Sequence, residues 1–395
     1  MKKNIIVGVT GSIAAYKAAS LVSSLVKLDY DVEVIMSESA TKFISPLTFE
    51  SLIKKPVISD IFNEGKRGSI QHIELAKKAD CFVIAPASAN SIAKIANGIA
   101  DDMLSTTFLA ATCKKLIAPA MNTKMYDNLA TQRNIERCLS YGISFVEPSA
   151  GLLACGDVGR GKLADPEDVL EMIEYCLEPK PLHRKKVLVT AGPTQEAMDP
   201  VRYITNHSSG KMGYALAKKA YQLGAEVTLI SGPTTLMVPY GVKHIAITSA
   251  NEMFEEVKKI YEKQDYIIKA AAVSDYRFSE INEQKFKKTT DEISVTLNKN
   301  EDILAFLGAH KSKQILCGFA METENLEKYA SEKFKNKNCD LLVANNLTTA
   351  GAGFKTDTNQ VTFISENGLE EKELMSKDEL SKEILLTLMK IRGDK

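Results

Sequence analysis

The sequence has no excess of charge of either sign and no long apolar run. Its 395 residues include 50 Lys and Arg and 50 Asp and Glu, so the formal net charge is zero. This neutrality argues against general binding to nucleic acid or to a membrane surface. No apolar run approaches the roughly 18 residues of a membrane-spanning helix, and the first run, Ile5–Val9, is too short for a signal-peptide core. We therefore expect a cytoplasmic protein without nucleic-acid or membrane partners.

Cysteine and histidine are also few and scattered. The seven cysteines form no Cys-x-x-Cys pair, and the five histidines are dispersed along the chain. This distribution excludes a disulfide scaffold and a cysteine-rich zinc site, and it favours reduced thiols. It also argues against a histidine-based metal cluster.

What the chain does contain is a regular alternation of short β-rich runs and amphipathic helical patterns. This alternation is typical of parallel, doubly wound sheets, and the length suffices for two domains. We predict an α/β fold with two doubly wound, mostly parallel-sheet domains at residues 1–178 and 187–395, joined by a basic, proline-rich linker at 179–186. The strands are predicted at Ile5–Val9, Val32–Met36, Cys81–Ala85, Lys115–Ala118, Ser144–Val146, Val187–Thr190, Glu226–Ile230, Tyr266–Ala270, Ile315–Phe319, Leu341–Ala344 and Gln360–Ser365, with a hairpin turn near Asn367-Gly368.

Hydroxyl-rich segments follow three predicted strands of the first half. They are Thr10-Gly11-Ser12-Ile13, Ser37, and Pro86-Ala87-Ser88-Ala89-Asn90. Ligands of open α/β sheets bind beyond the carboxyl ends of the strands, and a helix N-terminus favours a phosphate. A turn with a helix cap would explain Thr10–Ser12 alone, but three such strand ends suit a mononucleotide. The absence of Gly-x-Gly-x-x-Gly means that a dinucleotide is not implied.

Three further residues of the first half are candidates for chemistry. His72 lies near the start of a predicted helix, Asn122 lies in Pro-Ala-Met-Asn, and Cys155 lies in Ala-Cys-Gly-Asp. Taken singly, each has a structural explanation: a surface or core histidine, a turn residue and a buried thiol.

In this order and spacing, the motifs of residues 1 to about 178 resemble the flavin-dependent cysteine decarboxylases. The resemblance implies a Rossmann-like flavoprotein domain with His72 as an essential histidine, Asn122 as carboxylate binder and Cys155 as proton donor on a substrate-covering flap. It implies FMN as cofactor, in a site between subunits of a trimer. The flap departs from the family pattern at Lys162-Leu163, where Arg-Met is expected, and at Asp165, where Glu is expected. The FMN contacts implied are Gly11, Ser12, Ile13, Ser37, Ser88, Asn90 and Ser105.

The second half begins like a Rossmann domain but lacks the features of a dehydrogenase. No closely spaced glycines open the first helix, and Ser231-Gly232-Pro233 after the second strand offers no acid for a ribose. The intervening excursion offers Arg202, Asn206 and Lys211, which suit a phosphate or carboxylate and a carbonyl oxygen. Asp275 follows a strand, where it could hold a ribose hydroxyl or a metal-bridged phosphate. The basic run that begins at Lys285 suits a triphosphate, although a solvated loop is its simpler interpretation.

Residues 186 to about 391 resemble the phosphopantothenate–cysteine ligases, and this resemblance implies CTP, Mg2+ held mainly by the nucleotide phosphates, and a dimer. Asn206 and Arg202 would handle the acyl-cytidylate and the substrate. The Asn345-Asn346 pair departs from the Asn-Asp of the family, and Gly351–Phe354 predicts a tight loop. The CTP contacts implied are Lys269, Ala270, Ala271, Asp275, Lys285, Asn300, Glu301, Asp302, Ile303, Phe319, Lys333 and Lys337.

End to end, the chain thus resembles the bifunctional decarboxylase–ligases of coenzyme A biosynthesis. The substrates implied are 4′-phosphopantothenate, cysteine and CTP, and the product is 4′-phosphopantetheine. The implied homo-oligomer is trimeric through the first domain and dimeric through the second. Two alternatives remain: a flavin oxidoreductase fused to a Rossmann dehydrogenase, and a non-catalytic flavoprotein regulatory subunit.

Overall fold

The chain divides into two structural units between Glu178 and Pro179. The structure is a computed structural model, and it describes residues 2–61, 70–285, 294–322, 332–346 and 356–394. The residues predicted as a linker pack on the second unit. Leu182 is fully buried in its core, and Lys180 Nζ donates to the carbonyl of Gln222 at 2.7 Å.

The first unit is built on a five-stranded parallel sheet with the strand order β2-β1-β3-β4-β5. Its central strands are apolar and buried along almost their whole length, as expected where helices cover both faces. The strands are β1 Asn4–Val9, β2 Asp31–Met36, β3 Cys81–Ala87, β4 Lys114–Pro119, β5 Ser144–Phe145, β6 Ser149–Leu152 and β7 Val158–Lys162. The helices are α1 Ala15–Lys27, α2 Glu38–Thr41, α3 Pro46–Ile53, α4 Gln71–Lys78, α5 Ala89–Asn97, α6 Met103–Ala110, α7 Thr123–Tyr126, α8 Leu129–Ser140 and α9 Pro166–Leu177.

The strand order of the first unit reverses beside its first strand. The chain adds β2 on one side of β1 and then β3, β4 and β5 on the other. The crevice between the carboxyl ends of β1 and β3 is the place where a doubly wound sheet of this order binds a mononucleotide. The small antiparallel hairpin β6–β7 stands outside this sheet, and its glycine-rich sequence did not predict it.

The second unit is built on an eight-stranded sheet with the order β12-β11-β8-β13-β16-β17-β19-β20, in which the first six strands are parallel. Its strands are β8 Lys186–Ala191, β9 Gln195–Ala197, β10 Tyr203–Thr205, β11 Glu226–Ser231, β12 Lys243–Ala246, β13 Tyr266–Lys269, β14 Tyr276–Phe278, β15 Leu297–Lys299, β16 Ile315–Glu322, β17 Leu341–Asn346, β18 Thr358–Asn359, β19 Val361–Ser365, β20 Gly368–Glu371 and β21 Met375–Ser376. Its helices are α10 Lys211–Gln222, α11 Ala250–Ile260, α12 Ile303–His310 and α13 Lys377–Arg392, with a 3-10 turn at Tyr261–Lys263.

The parallel strands of the second unit follow the doubly wound Rossmann order, so the predicted fold class is confirmed for both units. Helices α10 and α13 contribute to the core on one face of the sheet, and α11 and α12 contribute to the core on the other. The predicted hairpin is also confirmed, because β19 and β20 pair in antiparallel register with Ser365 opposite Gly368. The reversal of strand order lies here between β8 and β13.

Helix α10 approaches β8 so closely that only glycine fits at position 213. A Cβ atom added to Gly213 would lie 2.5 Å from Ala191 Cβ and 3.1 Å from Ala191 Cα. This close approach brings the start of α10 to the carboxyl end of the first strand of the sheet.

We expect Gly213→Ala to destabilise the second unit by about 1–3 kcal/mol, the usual cost of overpacking a dense core. Helix propensity alone would favour alanine by up to about 1 kcal/mol. Overpacking and helix propensity therefore predict changes of opposite sign in the free energy of unfolding. Urea unfolding of the full chain, followed by far-UV circular dichroism, should show a lower midpoint for the variant. An unchanged or higher midpoint would contradict the close approach.

Candidate active sites

A threonine hydroxyl joins the two strand ends that flank the crevice of the first unit. Thr10 Oγ1 donates to the carbonyl of Pro86 at 2.8 Å and accepts the backbone N–H of Ser88 at 2.9 Å. Thr10 is buried. Its hydroxyl therefore holds the loops after β1 and β3 together, and the neighbouring residues are the ones left to contact a ligand.

The predicted FMN residues lie on the loops around this junction. Gly11 lies against Ser39 at the start of α2, where an added Cβ would be 2.6 Å from Ser39 Cβ. Ser12 Oγ accepts the N–H of Ala14 at 3.3 Å, and the side chain of Ile13 is exposed. Ser37 and Ser88 cap α2 and α5, and Asn90 is exposed in the first turn of α5.

A cavity opens beside these loops, with about 220 Å³ of empty space that includes open solvent. Two of the predicted FMN residues, Ser37 and Ser105, line it, and so does Thr10. The sequence analysis did not identify its other polar lining residues. The full lining is Thr10, Ser37, Ser91, Lys94, Ile95, Asp102, Leu104 and Ser105.

An ion pair fixes the polar wall of this cavity. Asp102 Oδ1 accepts the N–H and the hydroxyl of Ser105 at 2.7 and 2.8 Å, and Lys94 Nζ lies 2.8 Å from Asp102 Oδ2. Burial tends to raise the pKa of Asp102, but the hydrogen bonds from Lys94 and Ser105 outweigh it and hold the pKa below its usual value. The spacing of Asp102 and Ser105, three residues apart before an apolar helix, is a capping signal that could have predicted this arrangement.

The hairpin β6–β7 lies on the turn that follows β4. Met121 N donates to the carbonyl of Gly161 at 3.0 Å, and a Cβ on Gly161 would lie 2.4 Å from Met121 O. Gly161 also has a φ of +129°, so the position requires glycine on two grounds. The close packing carries the hairpin tip, residues 153–157, to the predicted carboxylate-binding residue.

Asn122 and Cys155 are in contact at this tip. Asn122 Nδ2 donates to Cys155 Sγ at 3.2 Å and to Asp157 Oδ2 at 2.7 Å, and the Cys155 thiol donates to the same carboxylate oxygen at 3.6 Å. The hydrogen bonds from Asn122 and Cys155 hold the pKa of Asp157 below its usual value. The structure thus joins two residues that lie 33 positions apart in the sequence, and it adds Asp157, which the sequence analysis did not assign a role.

His72 lies elsewhere in the first unit. It is half-buried in the first turn of α4, which packs against α6 and contributes Leu75 and Ala76 to the core. Among the described contacts of residues 2–61 and 70–178, none joins His72 to Asn122 or Cys155.

The flap residues that depart from the family pattern have different environments in the first unit. Leu163 is buried, and Asp165 Oδ1 lies 3.0 Å from Lys17 Nζ of α1. Lys162 ends β7 and is exposed. Asp165 is thus paired with α1.

Asn206 reaches the crevice of the second unit. Its Nδ2 donates to the carbonyl of Val273, which follows β13, at 3.1 Å. Beside it, Thr194 after β8 accepts the N–H of Ser274 at 3.0 Å through Oγ1, and its carbonyl accepts the Thr205 hydroxyl at 2.6 Å. Side chains therefore bridge the ends of β8 and β13, as Thr10 does in the first unit.

Asn300 organises the loop that follows β13. Its Nδ2 donates to the carbonyl of Ser274 at 2.8 Å, its backbone N–H donates to the carbonyl of Asp275 at 2.8 Å, and its Oδ1 accepts from Arg277 at 2.9 Å. Asn300 is buried, so its amide shapes the loop that presents Asp275. Next to it, Glu301 is exposed, and Asp302 caps α12, whose first residue Ile303 is buried.

The charges of two lysines and two carboxylates act on the pKa of Lys269, at the carboxyl end of β13. Burial lowers the pKa of Lys269 to about 8, and the charges of Lys333 and Lys337 add to this effect against the opposing pull of Asp302 and Asp275. Lys337 Nζ also lies 2.8 Å from Asp302 Oδ2. The predicted nucleotide lysines are thus brought within electrostatic range of one another.

The remaining predicted nucleotide residues have different environments. Ala271 is buried, whereas Ala270 and Phe319 are partly buried against the core. Lys285 is exposed at the end of a described range. The rest of its basic run and the predicted tight loop at 351–354 lie outside the described residues. Asn345 and Asn346 end β17.

Arg202 and Lys211 are engaged in ion pairs. Arg202 Nε donates to Asp199 Oδ2 at 2.9 Å, and Lys211 Nζ lies 2.6 Å from Asp357 Oδ1. The Asp199 side chain is fully buried and also accepts the backbone N–H groups of Val201 and Arg202. The described contacts therefore do not assemble Arg202, Asn206 and Lys211 into one cluster.

A search of the described residues for three or more His, Cys, Asp or Glu side chains that could hold a metal ion finds no such group. Within the same residues, no helix has the length and apolarity required to cross a membrane.

The two units match two different protein families. Residues 1–177 match the family model described as Flavoprotein, and residues 182–391 match the family model described as DNA/pantothenate metabolism flavoprotein C-terminal domain. A solved structure described as the C-terminal domain of a coenzyme A biosynthesis bifunctional protein CoaBC is 41% identical, and the match covers 55% of this chain and 100% of that one with a TM-score of 0.48.

Full-length relatives carry both halves in the same order. The coenzyme A biosynthesis bifunctional protein CoaBC of Bacillus subtilis (strain 168) is 49% identical over 97% of this chain and 96% of its own length. The protein of the same name from Vibrio vulnificus (strain YJ016) is 45% identical over 99% of this chain and 98% of its own length. The chain therefore belongs to the family of coenzyme A biosynthesis bifunctional proteins.

Proposed function

We propose that the chain catalyses two consecutive reactions of coenzyme A biosynthesis. The second unit joins 4′-phosphopantothenate to cysteine with CTP and Mg2+ through an acyl-cytidylate, and the first unit decarboxylates the product to 4′-phosphopantetheine with FMN. The observation that supports the proposal is the contact between Asn122 and Cys155, the proposed carboxylate binder and the proposed proton donor.

The residues of the first crevice fit a flavin mononucleotide. The loops after β1, β2 and β3 converge there, and the hydroxyls of Ser37 and Ser88 cap helices that begin at the same edge. Helix N-termini and hydroxyls favour a phosphate, and the cavity beside them offers Ser105 as a further contact. Gly11, Ser12, Ile13 and Asn90 lie on the same loops and complete the proposed FMN site.

Bound FMN supplies the reversible oxidation of the substrate thiol that makes loss of CO2 possible. The chain supplies the remaining functions. The Asn122 amide binds the substrate carboxylate, and the hairpin covers it. The Cys155 thiol then gives its proton to the carbon that has lost CO2. The Cys155 side chain is exposed at the hairpin tip, which gives it access to solvent for reprotonation.

The residues of the second crevice fit a nucleotide triphosphate. The charges of Lys333 and Lys337 lower the pKa of Lys269, and the negative charge of a triphosphate would offset this effect. Asn206 lies across the crevice at Val273, where its amide would contact the acyl group. Lys285 is proposed to face the departing pyrophosphate. Mg2+ would be held mainly by the nucleotide phosphates, and Asp275 is the proposed protein ligand.

We also propose that the protein is a cytoplasmic homo-oligomer, trimeric through the first unit and dimeric through the second. No described contact joins His72 to Asn122 within one chain, which supports a site that a neighbouring subunit completes. Some apolar side chains of the first unit are exposed, among them Ile13 and Tyr16 at the start of α1 and Ile70 before α4. These side chains would be buried in such a trimer.

The alternatives make different predictions for simple assays. A dehydrogenase-type second domain would bind a nicotinamide, but β11 ends at Ser231 and is followed by Gly232, where a ribose-binding acid is required. A regulatory subunit would have no use for the contact between Asn122 and Cys155. A flavin spectrum in the purified protein, together with pyrophosphate release from CTP, would distinguish the bifunctional enzyme from both.

We expect Cys155→Ser to oxidise and decarboxylate 4′-phosphopantothenoylcysteine but to stall before the final reduction. A serine hydroxyl is a far weaker acid than a thiol, whose reference pKa is about 8.5. Mass spectrometry should detect a CO2-depleted product that is two hydrogens short of 4′-phosphopantetheine. An undiminished yield of the reduced product would remove Cys155 from the mechanism.

We expect Lys285→Gln and Asn206→Asp to interrupt different steps of the ligase reaction. Removing the lysine charge should slow acyl-cytidylate formation by about 100- to 1000-fold, the usual effect of losing one electrostatic stabiliser. The aspartate variant should form the intermediate but react slowly with cysteine, because a carboxylate repels the charge developing on the acyl oxygen. Quench-flow with labelled CTP, before and after cysteine is added, should show accumulation only in Asn206→Asp. Wild-type kinetics in both variants would contradict the proposed site.

We expect CTP binding at pH 8.5 to take up a proton. Lys269, with its pKa lowered to about 8, is mostly neutral at that pH, and the triphosphate should raise the pKa and restore the charge. CTP affinity should therefore fall as the pH rises from 7 to 9. Calorimetry in buffers of different ionisation enthalpy would measure the uptake. Lys269→Met should abolish it, whereas Lys243→Met on edge strand β12 should not. Binding without proton uptake in the wild type would contradict the prediction.

A further inference from the structure

The hairpin tip carries the Asp157 carboxylate, which accepts a hydrogen bond from the side-chain amide of Asn122. Asn122 Nδ2 lies 2.7 Å from Asp157 Oδ2 and 3.2 Å from Cys155 Sγ, so the carboxylate makes the closer contact. The other end of the amide is also engaged, because Asn122 Oδ1 accepts the backbone N–H of Lys124 at 2.8 Å. The Asn122 amide has two N–H donors, of which Asp157 takes one and Cys155 Sγ the other, so a ligand carboxylate would have to displace one of them.

The backbone of the tip places this carboxylate. Leu153 N donates to the carbonyl of Asp157 at 2.8 Å, and Gly156 N donates to the carbonyl of Leu153 at 2.9 Å. Gly156 has a φ of +88°, which completes the tight turn. Cys155 and Asp157 are thereby brought to the same side of the tip, where the thiol donates to the Asp157 carboxylate.

Two carboxylates cannot share the Asn122 amide without repelling each other. The hydrogen bonds from Asn122 and Cys155 favour the ionised form of Asp157, so it carries the same charge as a substrate carboxylate. The charge of Lys124 favours the ionised form of Asp157 more weakly. Occupation of Asn122 by Asp157 and by a ligand carboxylate are therefore alternative states.

We propose that Asp157 is a specificity-determining placeholder, whose carboxylate occupies the Asn122 amide in the free enzyme and is displaced by the substrate carboxylate. The inference rests on the proposed decarboxylase function. When CO2 leaves, the amide loses its ligand and Asp157 returns to it. The decarboxylated product has no carboxylate with which to compete, so the exchange favours its release over that of the substrate.

The test compares two unreactive ligands on the FMN-loaded full-length protein. One is the alanine analogue of the substrate, 4′-phosphopantothenoyl-alanine, which has the carboxylate but no thiol. The other is its decarboxylated counterpart, the N-ethyl amide of 4′-phosphopantothenate. Dissociation constants are measured by calorimetry for the wild type, Asp157→Asn and Asp157→Ala. Asp127→Asn is the matched control, because it removes a nearby exposed carboxylate that has no described contact with Asn122.

Both Asp157 variants should bind the alanine analogue roughly two- to fivefold more tightly than the wild type, the range expected for an exposed charge contact. Binding of the N-ethyl amide should not change, which would show that the hairpin is intact. The Asp127 variant should match the wild type for both ligands. Equal or weaker binding of the alanine analogue by both Asp157 variants, in an enzyme that still turns over 4′-phosphopantothenoylcysteine, would overturn the placeholder alone. A wild type that binds neither ligand and has no turnover would overturn the proposed function with it.

Discussion

Both units depend on the reversal of strand order beside the first strand of a parallel sheet. Connections on the two sides of that strand pass to opposite faces, and the loops at its carboxyl end diverge and leave a crevice. In each unit a threonine hydroxyl bridges that crevice, Thr10 between β1 and β3 and Thr194 between β8 and β13. Residues proposed to contact ligands lie on the loops that these hydrogen bonds join.

The two crevices handle charge in different ways, although the chain as a whole is neutral. The first presents hydroxyls, capped helix starts and one amide, and its partly buried carboxylate Asp102 is paired with Lys94. The second concentrates lysines, and burial together with neighbouring charges lowers the pKa of Lys269. Under the proposed function, the first crevice binds one phosphate group and needs little positive charge. The second binds a triphosphate from which pyrophosphate departs, and this larger negative charge needs several positive groups. Net charge taken over the sequence conceals this division.

The hairpin of the first unit shows how a site can depend on backbone packing. Its strands are short and rich in glycine, and the burial of their residues is low, so they lack the apolar alternation that marks a strand. Gly161 permits contact with the turn at Met121, and Gly159 lies against Thr123, so the hairpin packs beside Asn122 and its tip places Cys155 in contact with that residue. The motifs predicted both residues, but the partnership of Asp157 with them was found only in the structure.

The sequence by itself determined the fold class and the family. Strands that are buried on both faces read as continuous apolar runs, and the helices between them show their own period, so both doubly wound sheets could be predicted. The resemblance of the motifs to the two families likewise predicted Asn122, Cys155 and Asn206 as site residues. Only the tertiary structure decided which polar groups pair: Asp102 with Lys94, Arg202 with Asp199, Asn300 with the loop at Ser274, and Asp157 with Asn122. The physical reason is that a hydrogen bond requires a separation near 3 Å, and a separation that small between residues on different loops is set by the packing of whole elements.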